Sequence, residues 1–97
     1  MKRSEMNAHQ REAFDYICAV MSEYIGGYEN VLEDFSEDSE EYKRAKNFLT
    51  LPHSELINII YNDVMGLSAK DMKRHLRFAG KDFIIERIDR RLTKWGY

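Results

Sequence analysis

The chain has 97 residues, 43% of them apolar and 33% charged, with a formal net charge of −2 and a single cysteine. That length suits one domain with one modest core, enough to fold without staples and too small to enclose a large buried pocket. One cysteine excludes an internal disulfide. No apolar run is long enough to span a bilayer and no signal peptide is evident, so the expected location is the cytosol, with no membrane partner.

Taken in order, Met1 to Met6 is expected to fray. Asn7 is an N-cap candidate, and Gln10 three residues later completes a capping-box-like pair; Ser4 is the competing cap. The first helix should then run from about Ala8 to about Phe35. Apolar residues fall at Phe14, Cys18, Met21, Ile25, Tyr28, Leu32 and Phe35, in alternating steps of four and three. This a/d spacing predicts a continuous seam along which other helices pack. Gly26-Gly27 lies inside it, and each glycine costs about 1 kcal/mol relative to alanine within a helix. The seam keeps its phase across the pair, which favours one long helix. Cys18 on the seam reads as a buried core thiol. His9, among polar neighbours in the first turn, reads as exposed.

Ser36 to Ser39 reads as a turn. Ser39 before Glu40 and Glu41 is a good helix start, because acids near an N-terminus favour the helix dipole. A second helix follows from Glu40 to about Leu49, with Tyr42, Ala45, Phe48 and Leu49 on its apolar face. Pro52 stops it. Thr50 or Ser54 should cap a third helix reaching about Met65, with Leu56, Ile57, Ile60 and Val64 buried and Gly66 as its stop. Ser68 with Asp71 resembles a capping box for a fourth helix, on which Met72, Leu76 and Ala79 share a face. Ala79-Gly80-Lys81 is a candidate kink or break. The last segment should run from about Asp82 to Trp95, with Ile85, Ile88, Leu92 and Trp95 inward. No alternating strand pattern is present. The expected fold is therefore all-α, a small bundle of four to five helices with a long N-terminal helix, in one domain over residues 1–97.

The small net charge conceals an asymmetry. Residues 1–69 carry six Lys/Arg and thirteen Asp/Glu, a balance of −7, whereas residues 70–97 carry nine and four, a balance of +5. Two constellations result. The acidic one comprises Glu29, Glu33, Asp34, Glu37, Asp38, Glu40 and Glu41, with no base among them. Such a run can imitate nucleic-acid phosphates and occupy a basic cleft in a partner; its plain alternative is a solvated turn between two helices. The basic one begins with Lys70, Lys73, Arg74, Arg77 and Lys81. These span an arc of about 100° opposite Met72, Leu76 and Ala79, provided the helix continues to Lys81. Arg87, Arg90, Arg91 and Lys94 add a second band. Phosphate or an acidic protein surface would match it. The plain alternative is a solvated face, with pairs such as Glu86 and Arg90 at i,i+4.

No nucleotide-binding glycine loop, P-loop, HExxH, CxxC or GxSxG motif is present. His9, His53 and His75 fall on three separate predicted elements and, even with Cys18, make no metal site by spacing. No catalytic residue, metal or cofactor is expected, and the chain reads as a non-enzyme.

The run Ile25-Gly26-Gly27-Tyr28-Glu29-Asn30-Val31-Leu32-Glu33-Asp34, followed by Ser39-Glu40-Glu41-Tyr42, resembles small accessory proteins of Gram-positive prophages and integrative elements. So does the stretch His75-Leu76-Arg77-Phe78-Ala79-Gly80-Lys81 through Trp95-Gly96-Tyr97. Together these cover about half the chain. The resemblance implies a product that binds a larger host or element protein; anti-CRISPR inhibitors, some similar to nucleic-acid mimics, belong to this class. The leading expectation is a non-enzymatic protein-binding module of a mobile element acting through its charged surfaces, with inhibition of a CRISPR effector nuclease as one form of it. The alternatives are a small nucleic-acid-binding protein using the Lys70 to Lys94 surface, and a helical regulatory protein that homodimerises.

Overall fold

Asn7 opens the first helix through reciprocal bonds. Its side chain accepts the Gln10 N–H at 2.9 Å, and the Gln10 side chain accepts the Asn7 N–H at 3.0 Å. The capping box satisfies two donors that every helix start leaves unpaired. In the computed structural model, which describes residues 1–97, five helices follow: α1 (Ala8–Asp34), α2 (Glu40–Leu49), α3 (His53–Leu67), α4 (Lys70–Ala79) and α5 (Lys81–Trp95). No strand forms, and no helix is long and apolar enough to cross a membrane.

Helix α1 passes through Gly26-Gly27 without a break, and neither glycine has a positive φ. Its fully buried residues are Ala13, Ile17, Met21 and Ile25, in steps of four. Four residues turn about 400°, so this row winds by about 40° per step across the helix surface. It is a ridge for crossing helices rather than a coiled-coil seam. The expected heptad seam is therefore corrected. Met21 and Ile25 belong to both patterns, and Tyr28 and Leu32 pack at the core margin, but Phe14 and Cys18 are only half-buried. Phe35 caps the helix end at 44% exposed. A supercoil needs partners of matching length, and no other helix exceeds 15 residues against 27 in α1.

Helix α5 runs parallel to α1. Arg87 lies over the Phe14 ring, Arg91 donates to Cys18, and Tyr97 donates to Glu29. Helix α2 folds back antiparallel, placing Phe48 against Tyr24 and Tyr28. Helix α4 crosses the N-terminal half of α1, where His75 and Phe78 meet His9. Helix α3 runs antiparallel to α5, so His53 reaches Asp89 and Tyr61 reaches Lys81. Leu49, Leu56, Ile60, Val64, Leu76, Ile84, Ile88 and Leu92 join the α1 row in one contiguous core.

Several boundaries differ from expectation. Helix α3 starts directly after Pro52, whose carbonyl accepts the Glu55 and Leu56 N–H groups, so neither Thr50 nor Ser54 caps it. Gly66 does not stop it, because the helix continues to Leu67. Ser68 does not cap α4 either: Ala69 holds that position, and the Ser68 hydroxyl is buried without a partner. On α5, Ile84 is buried and its neighbour Ile85 only half-buried, because the steps of four to Ile88 and Leu92 select Ile84. The N-terminal segment makes contacts with α1. Arg3 makes a two-point bond to Asp15 at 3.1 and 2.8 Å, the Met6 carbonyl accepts from Arg11 at 2.6 Å, and Met6 is buried.

Gly80 separates α4 from α5 at φ 93°, ψ 148°, a conformation open to glycine and strained for other residues. Gly26 and Gly27 have helical neighbours and free space where a Cβ would sit. Gly26→Ala with Gly27→Ala should therefore stabilise the protein by about 1–2 kcal/mol in denaturant unfolding. Gly80→Ala should destabilise it by about 1–3 kcal/mol. Loss of stability in the double alanine variant would contradict an unbroken α1.

Candidate binding surfaces

The acidic residues converge at one end of the molecule. Glu29, Glu33 and Asp34 come from the last turns of α1, Glu37 and Asp38 from the connecting turn, and Glu40 and Glu41 from the first turn of α2; all are exposed. The turn is tight because Ser39 works on both sides. Its hydroxyl donates to the Ser36 carbonyl at 2.7 Å and accepts the Tyr42 N–H at 3.1 Å. The antiparallel return of α2 then brings its acidic start beside the acidic end of α1.

No base of the chain pairs with this end. The ion pairs are Arg3–Asp15, His53–Asp89 and Arg90–Glu86, the last at i,i+4 as the spacing predicts. Among the acidic run only Glu29 has an internal partner, accepting the Tyr97 hydroxyl at 3.0 Å. The basic stripe therefore does not dock on the chain's own carboxylates.

Lys70, Lys73, Arg74 and Arg77 share the face of α4 opposite buried Leu76; Lys73 is half-buried and the others are exposed. Lys81 leaves this stripe, because Gly80 ends α4 before it, and its ammonium sits 5.4 Å from the Tyr61 ring centre. The α4 stripe and the acidic end lie toward opposite ends of α1. His9, which touches α4, and Glu33 are separated by about 36 Å of helix rise.

On α5, Arg90 and Lys94 are exposed and Arg91 half-buried. Arg87 departs from the expected free band, being only 8% exposed. Its guanidinium lies 5.6 Å from the Phe14 ring centre and 5.2 Å from that of Phe83, and donates to the Met1 carbonyl at 3.2 Å. Cys18 is not a sealed core thiol. It lines an open concavity with Phe14, Ile17, Arg87, Arg90, Arg91 and Lys94, and accepts from the Arg91 guanidinium at 2.8 Å.

Two histidines come together. His9 is half-buried rather than exposed, its Nδ1 3.0 Å from that of His75 and its ring stacked on Phe78. That bond needs one donor and one acceptor, so at least one ring is neutral when it forms. No group of three or more His, Cys, Asp or Glu side chains is placed to hold a metal ion.

The third histidine depends on the chain end. Gly96 adopts the left-handed conformation, and the Tyr97 N–H returns to the Leu92 carbonyl, the bonding of a Schellman cap. This turns Tyr97 back so that its main-chain oxygen accepts from His53 Nδ1 at 2.8 Å while Nε2 faces Asp89. Both ring nitrogens thus meet acceptors, which favours the imidazolium. The hydrogen bond to Asp89, then that to Tyr97, raises the His53 pKa. Elsewhere, burial and then the hydrogen bond to Asp63 push the Tyr24 phenol well above its ordinary range. Glycine after the last inward residue of α5 was the available signal for the Tyr97 return. No local signal points to the His9–His75 contact.

A raised histidine pKa stabilises the fold below the unfolded-state value near 6.5, and that contribution fades as pH rises through the folded-state value. In urea unfolding, wild type should therefore exceed Asp89→Asn in stability at pH about 5.5, with the difference shrinking by pH about 8.5. A difference that is constant or grows with pH would contradict the pairing.

No protein-family model matches this chain, and no curated protein or solved structure matches it either, so its surfaces carry the functional reading.

Proposed function

We propose that the protein is a non-enzymatic binding module of a mobile genetic element. On this reading it inhibits a larger nucleic-acid-handling protein, of which a CRISPR effector nuclease is the leading example, by presenting its acidic end to a basic cleft. The observation that supports this reading most is the gathering of exposed carboxylates from α1, the turn and α2, none of them ion-paired to a base of the chain, although Arg44 lies near Glu41. Glu40 and Glu41 also serve the start of α2. Glu33, Asp34, Glu37 and Asp38 have no folding role of that kind. A rod of closely spaced negative charges on a stiff helical frame offers a basic groove what a phosphate backbone offers it. Long-range attraction would speed the encounter, and desolvated contacts would set its lifetime.

One variant pair is Glu33→Lys with Asp34→Lys; the other is Glu37→Lys with Asp38→Lys. Affinity capture from lysate with mass spectrometry should recover a larger partner with wild type and lose it with either pair. Helicity by circular dichroism should stay unchanged, and heparin should compete with the wild-type complex. Capture unaffected by both pairs would leave the acidic end a solvated turn.

A second reading draws on Lys70, Arg74 and Arg77, which are exposed and meet no carboxylate of the chain. Lys73 to Arg77 spans about 6 Å of helix rise, which suits contact with neighbouring phosphates. If this face binds nucleic acid, replacing Lys73, Arg74 and Arg77 with glutamine should weaken binding and flatten the log–log salt slope by about one unit per lost contact. No measurable affinity of the wild type at low salt would rule this reading out.

A further inference from the structure

The concavity between α1 and α5 has a composition that packing does not explain. Its floor is Phe14, Ile17 and Cys18, and its wall is Arg87, Arg90, Arg91 and Lys94, around a volume of about 300 Å³. Glu86 is the one carboxylate paired there, 3.2 Å from Arg90. Arg87, Arg91 and Lys94 have no carboxylate partner. Arg87 is the decisive residue. It is more than nine-tenths buried, carries a guanidinium, and its Nε–H has no partner. A buried guanidinium without an anion is strongly unfavourable, and one carbonyl with two ring faces offsets only part of that penalty. Arg91, which donates to Cys18 and lies 5.7 Å from the Trp95 ring centre, and Lys94 add two more cations without a carboxylate to the same wall. A dianion entering the concavity would offset these charges.

We infer that this concavity binds a small phosphate ester. Arg87, Arg91 and Lys94 hold the dianionic phosphate, while Phe14 and Ile17 carry an apolar or aromatic body of nucleotide size. Phosphate matches the charge, since its second ionisation lies near pH 6 and guanidinium donors suit its oxygens. The mixed lining disfavours a bare inorganic ion, which would leave the apolar floor unused. The inference stands apart from the acidic end and survives if that reading fails. A free nucleotide and the phosphorylated 5′ end of a nucleic acid share this chemistry.

Cys18, the protein's single cysteine, lies in the floor and reports occupancy directly. Adenosine monophosphate should slow alkylation of Cys18 by neutral iodoacetamide in the intact protein, whereas adenosine should not, and inorganic phosphate should act only at much higher concentration. Arg91→Gln and Lys94→Gln should each raise the protecting concentration about ten-fold or more. Arg87→Met should abolish protection while melting no lower than wild type in phosphate-free buffer, because it removes the unpaired buried charge. Oligonucleotides distinguish the two sources. Stronger protection by a 5′-phosphorylated strand than by the nucleotide assigns the polymer end, and the reverse assigns the free nucleotide. The inference is overturned if millimolar nucleotide gives no protection, if inorganic phosphate protects equally well, or if a strand lacking a 5′-phosphate protects as well as the nucleotide does.

Discussion

The row Ala13, Ile17, Met21 and Ile25 is the constraint on which the molecule is built. Each of these side chains is essentially inaccessible to water, and α2, α4 and α5 all pack on the helix that carries them. Steps of four wind the row around α1, so its partners meet it at different angles and different heights. Helix α4 takes the N-terminal half, α5 follows the middle in parallel, and α2 returns along the C-terminal turns. After Ile25 no α1 residue is fully buried. The last turns of α1 therefore project with α2 as their main cover, and the molecule extends 46 Å in one direction against 26 and 20 Å in the others. The acidic run occupies that projection.

Folding accounts for some of the charges. Glu40 and Glu41 sit at a helix start, Lys46 at a helix end, and Arg3 ties the N-terminal segment to Asp15. Exposed pairs of that kind contribute little each. The remaining charges are arranged against stability. Carboxylates crowd at one end without an ion pair to any base, cations line one face of α4, and Arg87 is buried without a carboxylate. Such arrangements cost free energy in the isolated protein, and a bound partner of opposite sign returns it. This is why the proposed functions rest on the charges rather than on any apolar patch.

Much of the fold was legible because its signals are local. Asn7 with Gln10 and Ser39 with its following acids mark helix starts within a single turn, and Gly80 marks the α4–α5 break. The all-α class follows from periodicity alone. Burial within a helix was less legible, because the partner's crossing angle chooses between neighbours. Ile84 rather than Ile85 faces inward, and Ala13 with Ile17 displace Phe14 and Cys18. For the candidate sites, the acidic residues and the α4 stripe could be read in order along the chain. Lys81 was conditional on the turn at Gly80, whereas Arg87 could not be read, because its burial depends on Phe14, which lies far away in sequence. The contact between His9 and His75 is likewise a product of how α4 crosses α1.

The central claim is that the opposite charge surfaces do not hold each other and remain free for partners. Unfolding free energy measured from about 10 mM to about 0.5 M sodium chloride tests it without any partner, because added salt screens surface charges at these strengths. Stability should stay level or rise with salt, as repulsion within the acidic end and within the α5 cations is screened. A clear fall in stability with salt would mean that the two surfaces attract across the fold, and the claim would fail.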